Sequence, residues 1–589
     1  MTTSSLAHGG DIIAEALFRQ GVRHLFTLCG GHISPILTGC DRRGIRVVDT
    51  RDEASAVFAA DAVARLTGTV GAAAVTAGPG VTNAITALKN AQMAQTPLVL
   101  LGGATATLLK NRGSLQDIDH LALVNSLCKW ATSVSTVPAL GPTIDRAIEL
   151  AQSGVPGPVF VEVPVDILYP EAIVRQMYEK EAGLGKARGV AGKALEWYIR
   201  AHLYKQFHAP SLPGFGGRDL GLPELRLPSV GTQPQVAQAQ AALAAAQRPV
   251  VVVGNQTLVS VKDPQPIADA LCALGAPVYL AGAARGLLGR QHELQLRHAR
   301  GAALREADLV LICGFPFDFR LGYGRGFARD ATIIAANLSA TELRKNRRPD
   351  IAVQMHPGEF VRELAALAAA PPPRWAGWLD RLRGRDEARD AEIATKAQVG
   401  GDRVDPLHFL RRVDSHMSDD AVLVVDGGDF VATASYIVRP RGPLSWLDPG
   451  VFGTLGVGGG FALGACLAAP GREVWLLWGD GSSAYSLAEF DTFVRHGVAP
   501  IAIIGNDASW MQIAREQVGA LGTSLGTDLR STDYHQVAAG YGGVGIELRS
   551  PDQIDAALTE AKRVAASGRP VCINVHLQRT DFRKGSISI

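Results

Sequence analysis

Residues 474–506 constrain the fold of this 589-residue chain more than any other stretch. They read VWLLWGDGSSAYSLAEFDTFVRHGVAPIAIIGN, and the apolar run at 474–478 predicts a buried strand. A Gly-Asp-Gly turn ends that run, and residues 484–495 then show helical spacing of their apolar side chains. A second apolar run at 501–504 predicts another strand, parallel to the first and next to it.

The residues that follow these two strands suit a divalent cation and a phosphate. Asp480 follows the first strand and Asn506 the second, and ligands of open parallel sheets bind at the carboxyl ends of strands. Carboxylate and amide oxygens are ligands that Mg²⁺ accepts beside phosphate oxygens. Gly479, Gly481 and Ser482 allow backbone N–H groups to approach a phosphate at the start of a helix. The alternative is an ordinary strand-to-helix turn.

The Gly-Asp-Gly turn, its spacer and the following Asn together resemble the diphosphate-binding motif of thiamine diphosphate (ThDP) enzymes. The resemblance implies ThDP and Mg²⁺ as cofactors. It also implies a third metal ligand two residues after Asn506, at Ala508. Alanine has no side-chain oxygen, so its backbone carbonyl is the group that would bind the metal.

Composition excludes several other classes of protein. A net charge of +2 and the lack of a long basic tract argue against a nucleic-acid partner. The seven cysteines are scattered without a CxxC pair, which favours reduced thiols in a cytoplasmic protein. No apolar run approaches the length of a membrane span, and the first residues lack the features of a signal peptide. We therefore expect a soluble, cytoplasmic chain with about three domains.

Alternation of strands and helices along the chain predicts an α/β protein with three doubly wound parallel sheets. Residues 72–103 repeat the strand, glycine turn, helix, proline and strand of residues 474–506. Either related domains or the common pattern of α/β proteins explains this similarity. The expected parts are an N-terminal pyrimidine-binding domain (1–185), a linker with a helical stretch (186–233), a central nucleotide-binding-like domain (234–370), a linker helix (371–404), a C-terminal diphosphate-binding domain (405–575) and a tail that forms a lid or frays (576–589).

Glu53 is the main candidate for catalysis in the N-terminal domain. It follows a predicted strand, and an isolated Glu there would be a helix N-terminal acid favoured by the dipole. Its segment, DTRDEASAVFAADAVARLTG, resembles the R-x-E-x-x-A-x-x-A-A-D-x-x-A-R-x-T-G pattern of ThDP enzymes. The resemblance implies that Glu53 hydrogen-bonds N1′ of the aminopyrimidine, so that the 4′-imino nitrogen removes the thiazolium C2 proton.

Other segments of the N-terminal domain complete the expected pyrimidine pocket. TAGPGVTN contributes Gly78 and Pro79, and its Asn83 is either a pocket residue or a turn residue. His32 follows another strand and either faces the reaction centre or is structural. Gln116 aligns with a family glutamine near the reactive carbon of the coenzyme, and a loop glutamine is the alternative.

The C-terminal domain carries two further coenzyme segments. AVLVVDGGDF ends a strand at Gly428 and Asp429, a second expected contact with the diphosphate. GVFGTLGVGGGFALGACLAA resembles the family pattern G-T-M-G-V-G-x-G-F-A. The resemblance implies that Leu455 lies beneath the bent coenzyme and that the Gly453 carbonyl accepts the 4′-amino hydrogen. A glycine-rich helix start packed on a sheet is the alternative.

The central domain has strands followed by glycine turns that suit a nucleotide. In relatives this domain carries FAD, ADP or the nucleotide of CoA. Arg285, Arg320 and Arg325, with Arg583 in the tail, are candidate phosphate or CoA ligands, although solvent-facing arginines are the alternative. Asn337 stands where many relatives have an acidic residue, which leaves the identity of the nucleotide open.

Within the family, TLCGGHISP, TAGPGVTNAITALKNAQMAQ, GNDASWMQIAREQ and RTDFRKGSISI resemble the acetolactate-synthase-like branch associated with 2-hydroxyacyl-CoA lyase activity. Acetolactate synthases carry a Met and a Trp after the metal-binding Asn. Met511 keeps the first, but Arg515 replaces the Trp and argues against ordinary acetolactate synthesis.

The resemblance implies a lyase that cleaves a 2-hydroxyacyl-CoA into formyl-CoA and an aldehyde or ketone, and that also runs in reverse. The alternatives are an acetolactate synthase-like carboligase, a decarboxylase of 2-oxo acids or oxalyl-CoA, and a non-catalytic partner subunit of the same fold. A homodimer or homotetramer is expected, because in this family the Glu matching Glu53 meets the diphosphate site of another subunit.

Overall fold

The computed structural model describes residues 8–181, 190–208, 232–368, 370–397 and 403–584. These residues contain three parallel six-stranded sheets with flanking helices, which confirms the predicted fold class. The chain forms two compact units, residues 1–64 with 69–225 and residues 65–68 with 226–589. No helix in the described part of the chain combines the length and the apolar character that crossing a membrane requires.

The first sheet lies in the first unit and has the strand order β2-β1-β3-β4-β6-β5. Every residue of its three longest strands is buried, as expected for parallel strands covered on both faces. The strands are β1 (His24–Thr27), β2 (Arg46–Asp49), β3 (Gly71–Val75), β4 (Leu98–Ala104), β5 (Trp130–Ser133) and β6 (Pro158–Pro164). The helices are α1 (Gly9–Arg19), α2 (Ser34–Arg43), α3 (Glu53–Thr67), α4 (Pro79–Asn83), α5 (Ile85–Ala94), α6 (His120–Val124), α7 (Leu140–Gln152), α8 (Glu171–Glu181) and α9 (Val190–His208).

The second sheet, in the second unit, has the order β12-β11-β10-β7-β8-β9. Read from β9 and renumbered in chain order, this is the 3-2-1-4-5-6 order of dinucleotide-binding sheets. The strands are β7 (Pro249–Val253), β8 (Val278–Leu280), β9 (Gln295–Leu296), β10 (Leu309–Cys313), β11 (Thr332–Ala336) and β12 (Ile351–Val353). The helices are α10 (Thr232–Ala245), α11 (Gln265–Leu274), α12 (Arg300–Glu306), α13 (Ala340–Leu343), α14 (Pro357–Leu367) and α15 (Ala376–Lys396).

The third sheet has the order β14-β13-β15-β16-β18-β17, which repeats the order of the first sheet strand by strand. This shared order favours related domains over a chance likeness of the two segments compared in the sequence. The strands are β13 (Val422–Asp426), β14 (Trp446–Leu447), β15 (Val474–Gly479), β16 (Ile501–Asn506), β17 (Val544–Leu548) and β18 (Val571–His576). The helices are α16 (Pro406–His416), α17 (Asp429–Ile437), α18 (Val457–Ala468), α19 (Asp480–Ser483), α20 (Glu489–His496), α21 (Met511–Leu521), α22 (Tyr534–Gly540) and α23 (Ile554–Ala566).

The two strands predicted at 474–478 and 501–504 are confirmed as the parallel neighbours β15 and β16. The single helix predicted at 484–495 is wrong in its first part, because the chain forms the short α19, a series of turns and then α20. Serine side chains explain the interruption. The Ser483 hydroxyl donates to the Asp480 carbonyl and so competes with the helical backbone for it, and the Ser486 hydroxyl ties the turns to α18 by accepting from the Gly459 N–H.

Candidate active site

The two predicted metal ligands lie side by side at the carboxyl edge of the third sheet. Gly479 pairs with Gly505 in the β15–β16 ladder, so Asp480 and Asn506 follow that pair on neighbouring strands. Both side chains are almost fully buried, with 3% and 1% exposed. The fold therefore brings a carboxylate and an amide together as the sequence predicted.

Asn506 presents an oxygen without a partner. Its side-chain NH₂ donates to the Thr532 carbonyl at 3.0 Å and to Asn574 Oδ1 at 3.1 Å. These two bonds fix the amide, and its Oδ1 is buried with no hydrogen-bond partner among the described residues. A buried oxygen without a partner costs free energy, and binding a hard cation would remove that cost.

The surroundings of Asp480 also suit a cation. Its carboxylate accepts hydrogen bonds from the backbone N–H groups of Gly481 at 2.8 Å and Ser509 at 3.2 Å. Burial raises the pKa of Asp480, and burial together with Asp480 and Asp429 raises the pKa of Asp507 to about 7. Carboxylates crowded in this way gain from a divalent cation, so the residues present fit Mg²⁺.

Ala508 has the left-handed backbone conformation, with φ of 53°. Its carbonyl oxygen accepts hydrogen bonds from the Leu529 N–H at 2.9 Å and the Arg579 guanidinium at 3.1 Å. A carbonyl oxygen has two lone pairs. The predicted role of Ala508 as a metal ligand therefore requires that one of these donors, of which Arg579 is the more exposed, move away.

The end of β13 supplies the neighbouring backbone. Gly427 has φ of 140°, and a side chain there would lie 2.9 Å from the Gly479 nitrogen. The Ser482 hydroxyl donates to the Asp426 carbonyl at 2.7 Å, which ties α19 to this strand end. Gly428 precedes α17. The predicted diphosphate residues thus lie along one edge of the sheet.

Asp429 is already paired. Its carboxylate forms a two-pronged ion pair with Arg515, at 2.8 and 2.9 Å, and both side chains are largely buried. The guanidinium also donates to the Thr580 carbonyl. The residue that replaces the Trp of acetolactate synthases therefore links α17, α21 and the tail.

Asp426 is a residue that the sequence analysis did not single out. Its buried carboxylate accepts from the N–H groups of Gly456 and Gly458 and from the Trp478 indole at distances of 2.8 to 3.2 Å. Burial raises its pKa to about 7 against the effect of these hydrogen bonds. It fixes the turn that carries Leu455 into α18. A sequence signal for Asp426 was available, because it is a carboxylate at the end of an otherwise apolar strand.

In the first unit, Glu53 opens α3 and is 5% exposed. The Asn83 amide donates to Glu53 Oε2 at 3.0 Å, so the structure brings these two candidate pocket residues together. Gly78, with φ of 60°, caps the helix that starts at Pro79. A side chain at Gly78 would lie 2.9 Å from the Gln116 side chain, which places Gln116 against the same turn.

His32 lies at the same edge of the first sheet. Its Nδ1 is 3.3 Å from the Thr76 hydroxyl, and its pKa is lowered by burial and by the nearby His120. His120 and Glu162 form a buried pair behind the turn at Gly78. Sequence reasoning missed this pair, although a glutamate inside the apolar run of β6 was a visible signal.

The second unit contains a cavity of about 710 Å³ beside β8 and β9. None of the described residues that line it is acidic, and Arg285 and Arg320 are among them as predicted. Arg325 is exposed and does not line the cavity, and Arg583 instead contacts Gln512. The seven arginines that line the cavity are Arg285, Arg297, Arg300, Arg305, Arg320, Arg389 and Arg439.

Comparison with protein families identifies the chain's class. Residues 7–123, 236–364 and 426–575 match the models described as the N-terminal TPP binding, central and C-terminal TPP binding domains of thiamine pyrophosphate enzymes. The chain belongs to the thiamine pyrophosphate (ThDP) enzyme family. The predicted family and ThDP dependence are thereby confirmed.

Curated relatives extend over nearly the whole chain. It is 48% identical to 2-hydroxyacyl-CoA lyase 2 of Danio rerio, over 99% of this chain and 93% of the relative. It is 47% identical to the human protein of the same name, over 100% of this chain and 92% of that relative. A probable acetolactate synthase of Mycobacterium bovis is 35% identical, over 96% and 95%.

A solved structure supports the fold alone. The ThDP-dependent 4-hydroxybenzoylformate decarboxylase of Rhodococcus jostii RHA1 superposes with a TM-score of 0.74 at 21% identity. The match covers 98% of this chain and 100% of the decarboxylase.

Proposed function

We propose that this protein is a ThDP- and Mg²⁺-dependent lyase that cleaves a 2-hydroxyacyl-CoA into formyl-CoA and an aldehyde or ketone, and that catalyses the reverse condensation. The observation that carries this proposal is the near half identity, over almost the full chain, to relatives named 2-hydroxyacyl-CoA lyase 2. The chain also keeps Glu53, Asp480 and Asn506, which a non-catalytic partner subunit would not need.

The residues described above divide the binding of the coenzyme between them. Asp480 and Asn506 would hold Mg²⁺ and, through it, the diphosphate, beside the backbone of Gly428 and Gly481. Glu53 would hydrogen-bond the aminopyrimidine, with Asn83 orienting its carboxyl group. When bound, ThDP supplies a thiazolium that stabilises negative charge at the carbon left by C–C cleavage.

The same assignment gives roles to the remaining coenzyme residues. Leu455 would support the bent coenzyme, and the Gly453 carbonyl would accept a hydrogen from its amino group. Asp426 holds the turn between them and α18 through backbone N–H groups. His32 and Gln116, at the edge of the first sheet, would orient the substrate carbonyl and move protons to or from it.

The arginine-lined cavity supports a CoA thioester or a separate ADP as its ligand. Its volume lies in the range of small-molecule sites. Three of its seven arginines, Arg320, Arg389 and Arg439, are paired with carboxylates outside the lining, and the other four have no ion pair among the described residues. Guanidinium groups bind phosphates through paired N–H donors. We place the nucleotide there, with FAD as the alternative occupant.

Binding of each nucleotide can be measured directly by calorimetry on the intact protein with ADP, CoA and FAD. The proposal expects ADP or CoA to bind, and expects Arg300→Ala to weaken that binding at least about tenfold, the equivalent of about 1.4 kcal/mol. The exposed Arg325→Ala serves as the matched control. Tight binding of FAD alone would contradict the assignment.

The reaction is tested by supplying formyl-CoA with an aldehyde, and separately pyruvate, to the purified protein with ThDP and Mg²⁺. The proposal expects a 2-hydroxyacyl-CoA in the first assay and little acetolactate in the second. The second candidate, an acetolactate synthase-like carboligase, is favoured by the 35% identical relative. Acetolactate formation without turnover of formyl-CoA would establish that candidate instead.

Contacts of the tail support its proposed role as a lid. Arg579 donates to the carbonyl oxygens of Asp507 and Ala508, and Phe582 packs edge-on against Tyr436, which lines the arginine-rich cavity. Residues 585–589 lie outside the described part of the chain. Deletion from Arg579 onward should raise the KM for CoA substrates, and unchanged kinetics would remove the lid proposal.

A further inference from the structure

Glu162 is a carboxylate in the middle of a strand that is otherwise apolar. All residues of β6 are buried, and the Glu162 side chain has no exposed surface. Burial by itself would raise the pKa of Glu162, but hydrogen bonds from His120, Lys110 and Ser133 outweigh it and lower the pKa to about 2. A buried charge of this kind is costly unless it is paired, so its retention calls for an explanation.

His120 connects this charge to the coenzyme-binding turn. Its Nδ1 lies 2.8 Å from Glu162 Oε2, and its Nε2 lies 2.8 Å from the Gly78 nitrogen. A backbone N–H can only donate, so Nε2 is the acceptor and Nδ1 carries the proton that is donated to Glu162. The carboxylate therefore fixes the tautomer that receives the Gly78 N–H.

Gly78 is the point at which this bond acts on the predicted pyrimidine pocket. It has φ of 60° and ψ of −109°, and it is the N-cap of the five-residue α4. That helix ends at Asn83, whose amide donates to Glu53 at 3.0 Å. Fixing the nitrogen of Gly78 thus fixes the start of the segment that delivers Asn83 to Glu53.

We propose that His120 and Glu162 are positioning residues: their hydrogen-bonded pair holds Gly78, and through α4 it sets the orientation of the Glu53 carboxyl group toward the coenzyme. This inference rests on the proposed function for the placement of ThDP. The other carboxylate oxygen of Glu162, Oε1, accepts hydrogen bonds from the Lys110 ammonium at 2.5 Å and the Ser133 hydroxyl at 2.7 Å. The ammonium balances the charge of Glu162, and the two bonds together fix the carboxylate.

Two substitutions at His120 separate positioning from simple charge balance. In His120→Gln the amide reaches the place of Nε2, so an acceptor for the Gly78 N–H is kept. In His120→Asn the shorter amide occupies the place of Nδ1, so the contact with Glu162 is kept but Gly78 loses its partner. A residue needed only to accompany the buried Glu162 would tolerate Asn better than Gln.

The experiment titrates ThDP into each full-length variant at saturating Mg²⁺ by calorimetry, with thermal melting to confirm folding and kcat measured in parallel. We expect His120→Asn to bind ThDP at least about tenfold more weakly, and His120→Gln to stay within about threefold of wild type, as one lost or kept hydrogen bond predicts. Equal binding by wild type and His120→Asn would overturn this inference alone. No ThDP binding by the wild type would overturn the proposed function as well.

Discussion

Three carboxylates at the carboxyl edge of the third sheet differ in how their charge is balanced. Asp429 is paired with Arg515, the Asp480 carboxylate accepts backbone hydrogen bonds from Gly481 and Ser509, and the pKa of Asp507 is raised by burial and by its two acidic neighbours. The unpartnered oxygen of Asn506 lies on the strand next to Asp480. At the scale of single residues, neither Asp480 nor the Asn506 oxygen has a positively charged partner among the described residues, and a divalent cation would supply one.

Replacement of Asn506 by Leu tests that conclusion. Losing one ligand oxygen should raise the Mg²⁺ concentration for half-maximal ThDP binding at least about tenfold. Asn90→Leu is the matched control, because Asn90 is another buried Asn whose Oδ1 has no partner among the described residues. Fluorescence titration of both variants with Mg²⁺ at fixed ThDP measures the effect, and an equal shift in the two would contradict it.

Glu53→Gln should reduce kcat by about a hundredfold or more, since a shared proton with the aminopyrimidine ring is lost. The affinity for ThDP should fall by about tenfold, as expected for His120→Asn, because the contact with the ring is altered while Mg²⁺ and the diphosphate contacts remain. Glu15→Gln, at an exposed residue paired with Arg43, is the control. Steady-state assays with formyl-CoA and an aldehyde check the expectation, and full turnover by Glu53→Gln would refute the assigned role.

Glu162 gives a prediction for pH. Its pKa is about 2 in the folded chain against an ordinary value of 4.5, so its stabilisation is complete above 4.5 and is lost as pH falls toward 2. The shift corresponds to about 3 kcal/mol. The difference in Tm between wild type and Glu162→Gln should therefore narrow between about pH 5 and pH 3. A constant difference in Tm across that range would show that the charge of Glu162 is not the source of its stabilising effect.

The tail is hydrogen-bonded to the segment that carries the predicted metal ligands and to the helix that follows it. The Leu577 N–H donates to the Asn506 carbonyl at 2.9 Å, and Arg515 donates to the Thr580 carbonyl at 3.2 Å. Arg579 binds the Ala508 carbonyl between these two points. A segment that follows the last strand thus determines which oxygen atoms the preceding loop can offer to a metal.

Arg579→Ala should strengthen the binding of Mg²⁺ by several-fold. The substitution frees the Ala508 carbonyl and removes a positive charge that repels the cation. Arg583→Ala is the control, since its guanidinium contacts Gln512 instead. Calorimetric titration with Mg²⁺ in the presence of ThDP measures the difference. Weaker binding in Arg579→Ala would mean that the tail supports the loop more than it blocks it.

At the scale of the whole molecule, two sheets with the same strand order carry the two sets of predicted coenzyme residues. Glu53 and Asn83 lie at the edge of the first sheet, and Asp480 and Asn506 at the edge of the third. The family resemblance implies that each coenzyme is held by the first sheet of one copy and the third sheet of another copy.

Mixing two inactive variants tests this arrangement. If Glu53→Gln and Asp480→Asn chains exchange subunits at random, half of the dimers are mixed and one of their two sites is intact. About a quarter of the wild-type activity should then return. Sedimentation analysis of the mixture establishes the oligomer, and each variant mixed with itself is the control. No recovery from proven mixed dimers would place both residues of each site on one copy.

Much of this protein was determined by local sequence. The apolar runs predicted β15 and β16, and the glycine turns predicted where these strands end. Asp480 and Asn506 lie at those ends because the turn residues that end each strand are next to them in the sequence. The roles of individual site residues, and the domain limits given above, stay predictions. Helix α9 lies within the linker at 186–233 for which a helical stretch was predicted, but its boundaries depend on neighbours as well as on propensity.

Only the tertiary structure decided which distant groups meet. Glu162 and His120 are 42 residues apart, and Asp429 and Arg515 are 86 apart, so no periodicity joins them. The contact of Arg579 with Ala508 and the absence of Arg325 from the cavity lining likewise depend on how loops fold back. Strand ends are set by short-range chemistry, whereas a buried charge finds its partner through packing, which a linear pattern does not encode.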